Sequence, residues 1–468
     1  MLIIRRLRLF LFTVTIIFWH PAFALAQATG NPAPVEAAPL SQPGEGTLSS
    51  LDQLLIHIYQ QQPQLNADRD NLKVLDERVS QAMSGFRPNL SATAGTGKQR
   101  ESLNGADWDY GDATNGSLVL TQPVYNATTY AQLHAAKARM RAGRAHLLST
   151  EQAAFLAAIT AWLDMYEKDK LLELNQENLQ RLKQFYDATQ QRLNAGDGTH
   201  TDMAQAESRL ADAEARLALA EAEQESAHAA FQRDTGLMPQ TVTLPAVPQD
   251  LPASREEAID LARNNPELVE ATETQDAAEH DIDVASSSLW PNIFIRGSMS
   301  EERSPVVGLD RLRDDSITIN LSMPLYQGGG EYSRVREAKV ARQKSREDAI
   351  LVSRSSVERA SQSWSNFHAA SLVITASQKA SEASHRLLDG IQEEQKQGTR
   401  TLTEVLDAES QWLGTQVTET QAQKNLRLSA YRLLAATGRL TAEGLHLATP
   451  LYNPQLHYDD TASRWIGF

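Results

Sequence analysis

The charged residues best spaced for joint action lie in the stretch QGTRTLTEVLDAES, residues 397 to 410. Gly398 closes one helix, Thr399, Arg400, Thr401 and Thr403 carry the chain round a turn, and Glu404 and Asp407 follow three residues apart. That spacing puts both carboxylates on one face of the next helix. A second stretch, AGDGTHTDMAQAES at residues 195 to 208, repeats the pattern with Gly196, Thr199, Thr201 and Asp202. Such groups can concentrate charge at a helix tip, and the bland alternative is a solvated tip. Neither stretch holds a catalytic constellation.

Other candidates for chemistry fail on their spacing. Gly328, Gly329 and Gly330 precede Glu331-Tyr332, whereas a phosphate-cradling loop ends in Gly-Lys-Ser/Thr. A pliable turn between strand and helix accounts for them. The 11 histidines form no HExxH and no clustered ligand spacing, and no GxSxG nucleophile signature occurs. No enzyme activity, cofactor or metal is expected.

Proline placement shows which elements must position the two turns. None lies between Pro123 and Pro239, nor between Pro324 and Pro450. A helix interior excludes proline at a cost of about 3 kcal/mol, so both windows invite very long helices. Residues 126 to 193, with a single glycine, would extend roughly 100 Å as one helix. Leu133, Met140, Leu147, Ala154 and Ala161 recur every seven residues, as do Leu172, Leu179, Tyr186 and Leu193. Val405, Trp412, Leu426, Leu433 and Leu440 keep the same spacing, which is coiled-coil packing. Alanine at many of these positions suits a wall of helices with a wet face. An ordinary coiled coil is the alternative.

The chain also repeats itself. QQPQLNA around Pro63 matches NNPELVEA around Pro266, RPNLSATAG matches WPNIFIRG, and LTQPVYN from Leu120 matches LSMPLYQ from Leu321. With the two turn stretches and the pair DTG (234 to 236) and ATG (436 to 438), five matches keep one order at offsets of 201 to 203 residues. A tandem duplication follows, each half running helix, strand, loop, strand, long helix, turn, long helix. The first repeat spans 48–238, a connector 239–254, the second repeat 255–440 and a tail 441–468. Each Pro-x-Tyr step is expected to make the same strand-to-helix turn.

The strands report on their surroundings. Ile317, Ile319, Leu321 and Met323 alternate with Ser316, Thr318, Asn320 and Ser322, and Ile293, Ile295 and Met299 oppose Asn292, Arg296 and Ser298. Leu90, Ala92, Ala94, Leu118 and Leu120 are the counterparts in the first repeat. Runs of about ten residues with one apolar face fit tilted strands crossing a bilayer; hairpins on a soluble core remain the alternative. Four strands cannot close a barrel, and lipid does not tolerate an open sheet edge, so membrane strands would require several chains to share one barrel.

Composition narrows the class further. The formal charge of -15 argues against nucleic-acid binding, which draws on basic patches. Arg5, Arg6 and Arg8, an apolar core from Leu9 to Trp19 and Ala24-Leu25-Ala26 predict a signal peptide over 1–26, with an uncleaved anchor as the alternative. Residues 27–47, rich in Pro, Ala and Gly, read as a flexible leader. The sequence contains no cysteine, which excludes disulfides, thiolate sites and a lipidated N-terminal cysteine.

The Gly-Thr-Arg-Thr turn, the Val-Leu-Asp-Ala after it, the paired Pro-x-Tyr steps and the repeat together resemble the TolC family of outer-membrane channel-tunnels. The resemblance covers nearly the whole chain after the signal peptide. It implies a mainly α fold with a membrane β-barrel portion: a homotrimer in outer-membrane lipid, with a twelve-stranded barrel continued by a helical periplasmic tunnel. It further implies that Glu404 and Asp407 form rings narrowing the periplasmic entrance, Glu404 replacing the usual Asp and reaching further inward. Arg400 would hold Asp202 of a neighbouring hairpin, while Gln395 replaces a family tyrosine of the closed gate. A periplasmic adaptor protein would dock on the hairpin tips at Gly196 to Thr201 and Gly398 to Thr403. An inner-membrane ABC transporter, or another export pump, would supply the energy. The tail LYNPQLHYDDTASRW resembles that of members paired with type I secretion ABC transporters, which favours protein secretion over drug efflux.

Overall fold

The computed structural model describes residues 50–465 apart from 103–106, 239–241 and 304–310. The expected signal peptide and leader lie outside the described residues. Each repeat opens on a short helix broken by proline. In the first, Ser50 caps α1 (Leu51–Gln61) by accepting from the Gln53 N–H, and Gln62 is extended because Pro63 follows and starts α2 (Pro63–Ser84). α5 (Arg255–Ala262) and α6 (Pro266–Ser287) repeat this, with Asn265 capping ahead of Pro266.

β1 (Asn89–Glu101), β2 (Asp109–Asn126), β3 (Asn292–Arg303) and β4 (Leu312–Ser322) form one antiparallel sheet in the order β1-β2-β3-β4, so β2 and β3 join the two repeats. The register sorts side chains by face. One row across the sheet is Leu90, Leu120, Gly297 and Ile317, and two residues along it is Ala92, Leu118, Met299 and Asp315. The row between them, on the opposite face, is Ser91, Val119, Ser298 and Ser316. Ile317 and Ile319 are 83% and 76% exposed, so none of the described residues covers the apolar face there. On the polar face Thr93 bonds Ser117 and Ser298 bonds Ser316, each at 2.8 Å. Trp290 and Tyr125 stand exposed near the helical end of the sheet, and Trp108 and Tyr110 near its loop end. An apolar band between two aromatic girdles is the pattern of a strand wall facing lipid. Among the described residues β1 and β4 each pair on one side only.

The Pro-x-Tyr steps do not make one turn twice. Pro123 lies inside β2, opposite Phe294, with a register shift between Pro123 and Tyr125, and β2 runs straight to Asn126, which caps α3. β1 pairs no further along β2 than Thr121, so at Pro123 the strand is paired with β3 alone, beside the shift of register. In the second repeat β4 stops at Ser322, and Gly328 and Gly329, at φ 72° and 84°, turn the chain into α7. Left-handed backbone there suits glycine and would strain most other residues.

The long helices match the proline-free windows: α3 (Ala127–Ala195, 69 residues), α4 (His200–Thr235), α7 (Gly330–Lys396, 67 residues) and α8 (Leu402–Ala436). None is long and apolar enough to cross a membrane, a test that says nothing of a β-barrel. On the seven-residue seams Met140, Leu147, Ala161, Leu179, Val405, Leu433 and Leu440 are buried, whereas Leu172, Tyr186, Leu193, Trp412 and Leu426 are half-buried. The main core gathers Leu54, Leu55 and Ile58 of α1, Leu65 and Leu72 of α2, Phe155, Ile159 and Trp162 of α3, and Leu434 and Leu440. Each such side chain contributes about 1.5–3 kcal/mol when fully buried. The connector joins this core, since Val242 is buried and the Thr243 carbonyl accepts from the Trp162 Nε1–H at 2.9 Å.

Charges stitch the repeats together. α3 supplies Arg139, Arg141 and His146; α6 answers with Asp281 at 2.5 Å, Glu273 and Asp276 at 2.7 and 2.6 Å, and Glu270 at 3.1 Å. The tail ends in α9 (Pro454–Ser463), held on α2 by His457 against buried Asp76 at 3.1 Å and by Ser80 donating to the Thr461 carbonyl.

Candidate functional site: the hairpin tips

Both hairpins end on the same local design. Gly196 stops α3 at φ 85°, and the Asp197 N–H returns to the Arg192 carbonyl at 2.9 Å. In the second repeat Gly398 takes φ 79°, and the Thr399 N–H returns to the Glu394 carbonyl at 3.0 Å. These left-handed closures satisfy carbonyls that a helix end leaves open. Thr199 then caps α4 and Thr401 caps α8, each in a reciprocal capping box. The acid that completes the box is Asp202 in the first repeat and Glu404 in the second. Asp202 accepts from the Thr199 hydroxyl at 2.7 Å, and Glu404 accepts from the Thr401 N–H at 2.8 Å.

Arg400 sits between two acids of its own tip. Its Nε donates to Glu394 and its Nη1 to Glu404, both at 2.7 Å. Glu394, followed by Glu404, raises the pKa of Arg400 further above its ordinary value. The Thr401 N–H, then Arg400, lowers that of Glu404 to about 2. Among the described ion pairs of the single chain, Arg400 and Asp202 are not brought together; the pair expected from the resemblance is one between neighbouring hairpins.

Asp407 is exposed, and its partner comes from the other repeat: Arg209 of α4 donates to it at 2.7 Å. Beside it the Thr403 hydroxyl donates to Gln205 of α4 at 2.8 Å. Thr201, the second residue of α4, is exposed, as are Gly196, Thr199, Gly398, Thr399 and Thr401, so these turn positions face solvent in the single chain. Among the described residues no group of three or more His, Asp or Glu side chains could hold a metal.

Sequence reasoning missed Glu394, Gln205, Arg209 and, further along the helices, Arg181 of α3 and Glu409 of α8. One signal was present for the last. Ala-Glu-Ser closes both turn stretches, placing Glu207 and Glu409 at equivalent positions.

An apolar-walled sheet whose edges need further strands, mounted on capped helical hairpins of tunnel length, defines an outer-membrane channel with a periplasmic tunnel. The family model for outer membrane efflux proteins matches residues 54–237 and 259–439, one copy per repeat, and the chain belongs to that family. It is 28% identical to the outer membrane efflux protein BepC of Brucella suis biovar 1 (strain 1330), over 91% of this chain and 93% of that one. It is 24% identical to the outer membrane protein TolC of Escherichia coli (strain K12), over 87% and 86%. It is 23% identical to the alkaline protease secretion protein AprF of Pseudomonas aeruginosa, over 71% and 70%. The outer-membrane channel OprN has the same fold, with a TM-score of 0.73 at 20% identity, over 83% of this chain and 89% of that one. Channels of the TolC type work as trimers with adaptor and inner-membrane pump partners and are not enzymes.

Proposed function

We propose that this channel is the outer-membrane exit duct of a type I, ABC-transporter-driven protein secretion system. The reading is carried by the tail LYNPQLHYDDTASRW, which resembles that of type I members and is held on α2 through His457 and Ser80 and on the turn after α2 through Arg87. The relative AprF is named for secretion of a protease. A second reading, a duct for drugs or other small molecules, is favoured by the relative named as the efflux protein BepC. In either case three chains close a barrel of twelve strands, an adaptor grips the two tips, and the pump supplies the energy. Glu404 and Asp407 form the acidic entrance, and Arg400 reaches Asp202 of the neighbouring hairpin.

Deleting the gene separates the two readings. Loss of a large protein from the culture medium, with unchanged tolerance of dyes and detergents, is the outcome for secretion. Lowered tolerance with an intact secreted fraction would reverse the assignment.

A further inference from the structure

An ion pair between a half-buried arginine and a buried glutamate crosses between the hairpins just above the tips. Arg181 of α3 donates through Nε to Glu409 of α8, a residue only 1% exposed. The Arg181 guanidinium also lies 5.0 Å from the ring centre of Trp412, which meets His385 of α7 edge-on at 4.6 Å. Three long helices therefore meet at one indole. The titratable neighbours are Glu177, 3.7 Å from Arg181 on α3, and Asp389, 2.9 Å from His385 on α7.

We propose that the Arg181–Glu409 pair, braced by Trp412, is a separable latch that positions the second hairpin against the first and so sets the width of the acidic entrance. This rests on the reading that the tips form that entrance. Glu409 lies two residues beyond Asp407 and five beyond Glu404 on one uninterrupted helix, so any shift of α8 at the latch moves both acids with it. The remaining polar ties between the hairpins near the tips, Asp407 to Arg209 and Thr403 to Gln205, lie closer to solvent and are individually weak.

The composition of the latch argues for separation rather than for strength. Glu409 Oε2 and Arg181 Nη2 are buried without a hydrogen-bond partner, so the pair is only half satisfied. A buried carboxylate paired in that way is often no more stabilising than an apolar side chain of similar volume. Apolar material for such a replacement lies on both sides: Leu182 and Leu406 toward the tip, Leu171, Leu174 and Leu413 away from it. An apolar seam would resist opening, because parting it exposes hydrocarbon. The charged pair regains water on both sides when α8 moves away from α3.

Single-channel recording of the assembled protein in planar bilayers tests this with two variants that push in opposite directions. Glu409→Gln removes the charge across the hairpins, leaving Arg181 only Glu177 on its own helix, and is expected to raise the occupancy of the wide state by about fivefold or more, the lower end of ordinary coupling between sites. Arg181→Met with Glu409→Leu closes the seam with hydrocarbon and is expected to lower that occupancy, even when Arg400→Ser is added. Should Glu409→Gln fail to assemble, the apolar pair alone carries the test. Parental behaviour of the latch variants alongside a wider Arg400→Ser channel overturns the latch and leaves the entrance standing. Parental behaviour of the latch variants, Arg400→Ser and Glu404→Ala/Asp407→Ala together overturns both.

Discussion

The Arg400 guanidinium and the Glu404 carboxylate, one helical turn apart on the same tip, are joined at 2.7 Å. That carboxylate is also the one that closes the capping box by accepting from the Thr401 N–H at 2.8 Å. One side chain thus caps the start of α8 and carries charge at the hairpin tip. In the first repeat Asp202 has the capping duty, without a described arginine partner in its own chain. The duplication kept the cap and placed an arginine in only one of the two turns.

Arg400→Ser should therefore change two quantities at once. Losing the arginine breaks whatever hold it has on a neighbouring Asp202, which raises single-channel conductance. It also leaves Glu394 and Glu404 without their cation, which raises cation selectivity. Asp202→Ala should raise conductance without the second effect. Unchanged conductance in both variants would remove the pair from the gate.

How much of this was legible beforehand follows from sequence distance. Helix lengths, capped turns and strand faces depend on local rules, so prolines, glycines and alternation displayed them. The duplication then paired elements about two hundred residues apart. Partners across the hairpins were hidden, because Arg209 and Asp407 lie 198 positions apart and Arg181 and Glu409 lie 228 apart, with no periodic pattern linking them. The two strand-to-helix steps misled for a different reason. Both carry Pro-x-Tyr, but only the second is followed by glycines able to take the left-handed backbone that replaces a continuing strand.

β1 and β4 each present an unpaired edge beside an apolar face, so the protein extracted in detergent should be a trimer. Measuring the mass of the detergent complex checks this. A stable monomer would contradict the shared barrel.

The entrance charge should also respond to acid in a defined window. A carboxylate held at about 2 in the folded chain, against an ordinary value of 4.5, stabilises the fold fully above 4.5 and loses that contribution as the pH falls toward 2. In Asp407→Ala channels, where Glu404 is the remaining ring acid, reversal potentials should stay cation-selective at pH 4 and decline only nearer pH 2. Adding Arg400→Ser removes one cause of the low pKa and should move that decline to higher pH. A decline centred at 4.5 in both variants would show that the cap and the arginine do not hold the proton off.

The acidic ring itself is tested by removing it. Three copies each of Glu404 and Asp407 would place up to six carboxylates around a narrow, water-filled entrance, favouring cations and offering oxygen ligands to multivalent ones. Arg400 and Arg209 lie against these acids at 2.7 Å, so the field of such a ring would be partly cancelled. Glu404→Ala/Asp407→Ala should lower cation selectivity and weaken block by multivalent cations added from the periplasmic side. Assembly should survive, because neither residue lies on the seam marked by Val405, although α8 loses a capping box worth about 1 kcal/mol. Arg209→Ala, which frees Asp407, should shift selectivity and block in the opposite direction. If the double variant and Arg209→Ala both match the parent, these acids are solvated helix-tip charges, and the constriction lies elsewhere along the tunnel.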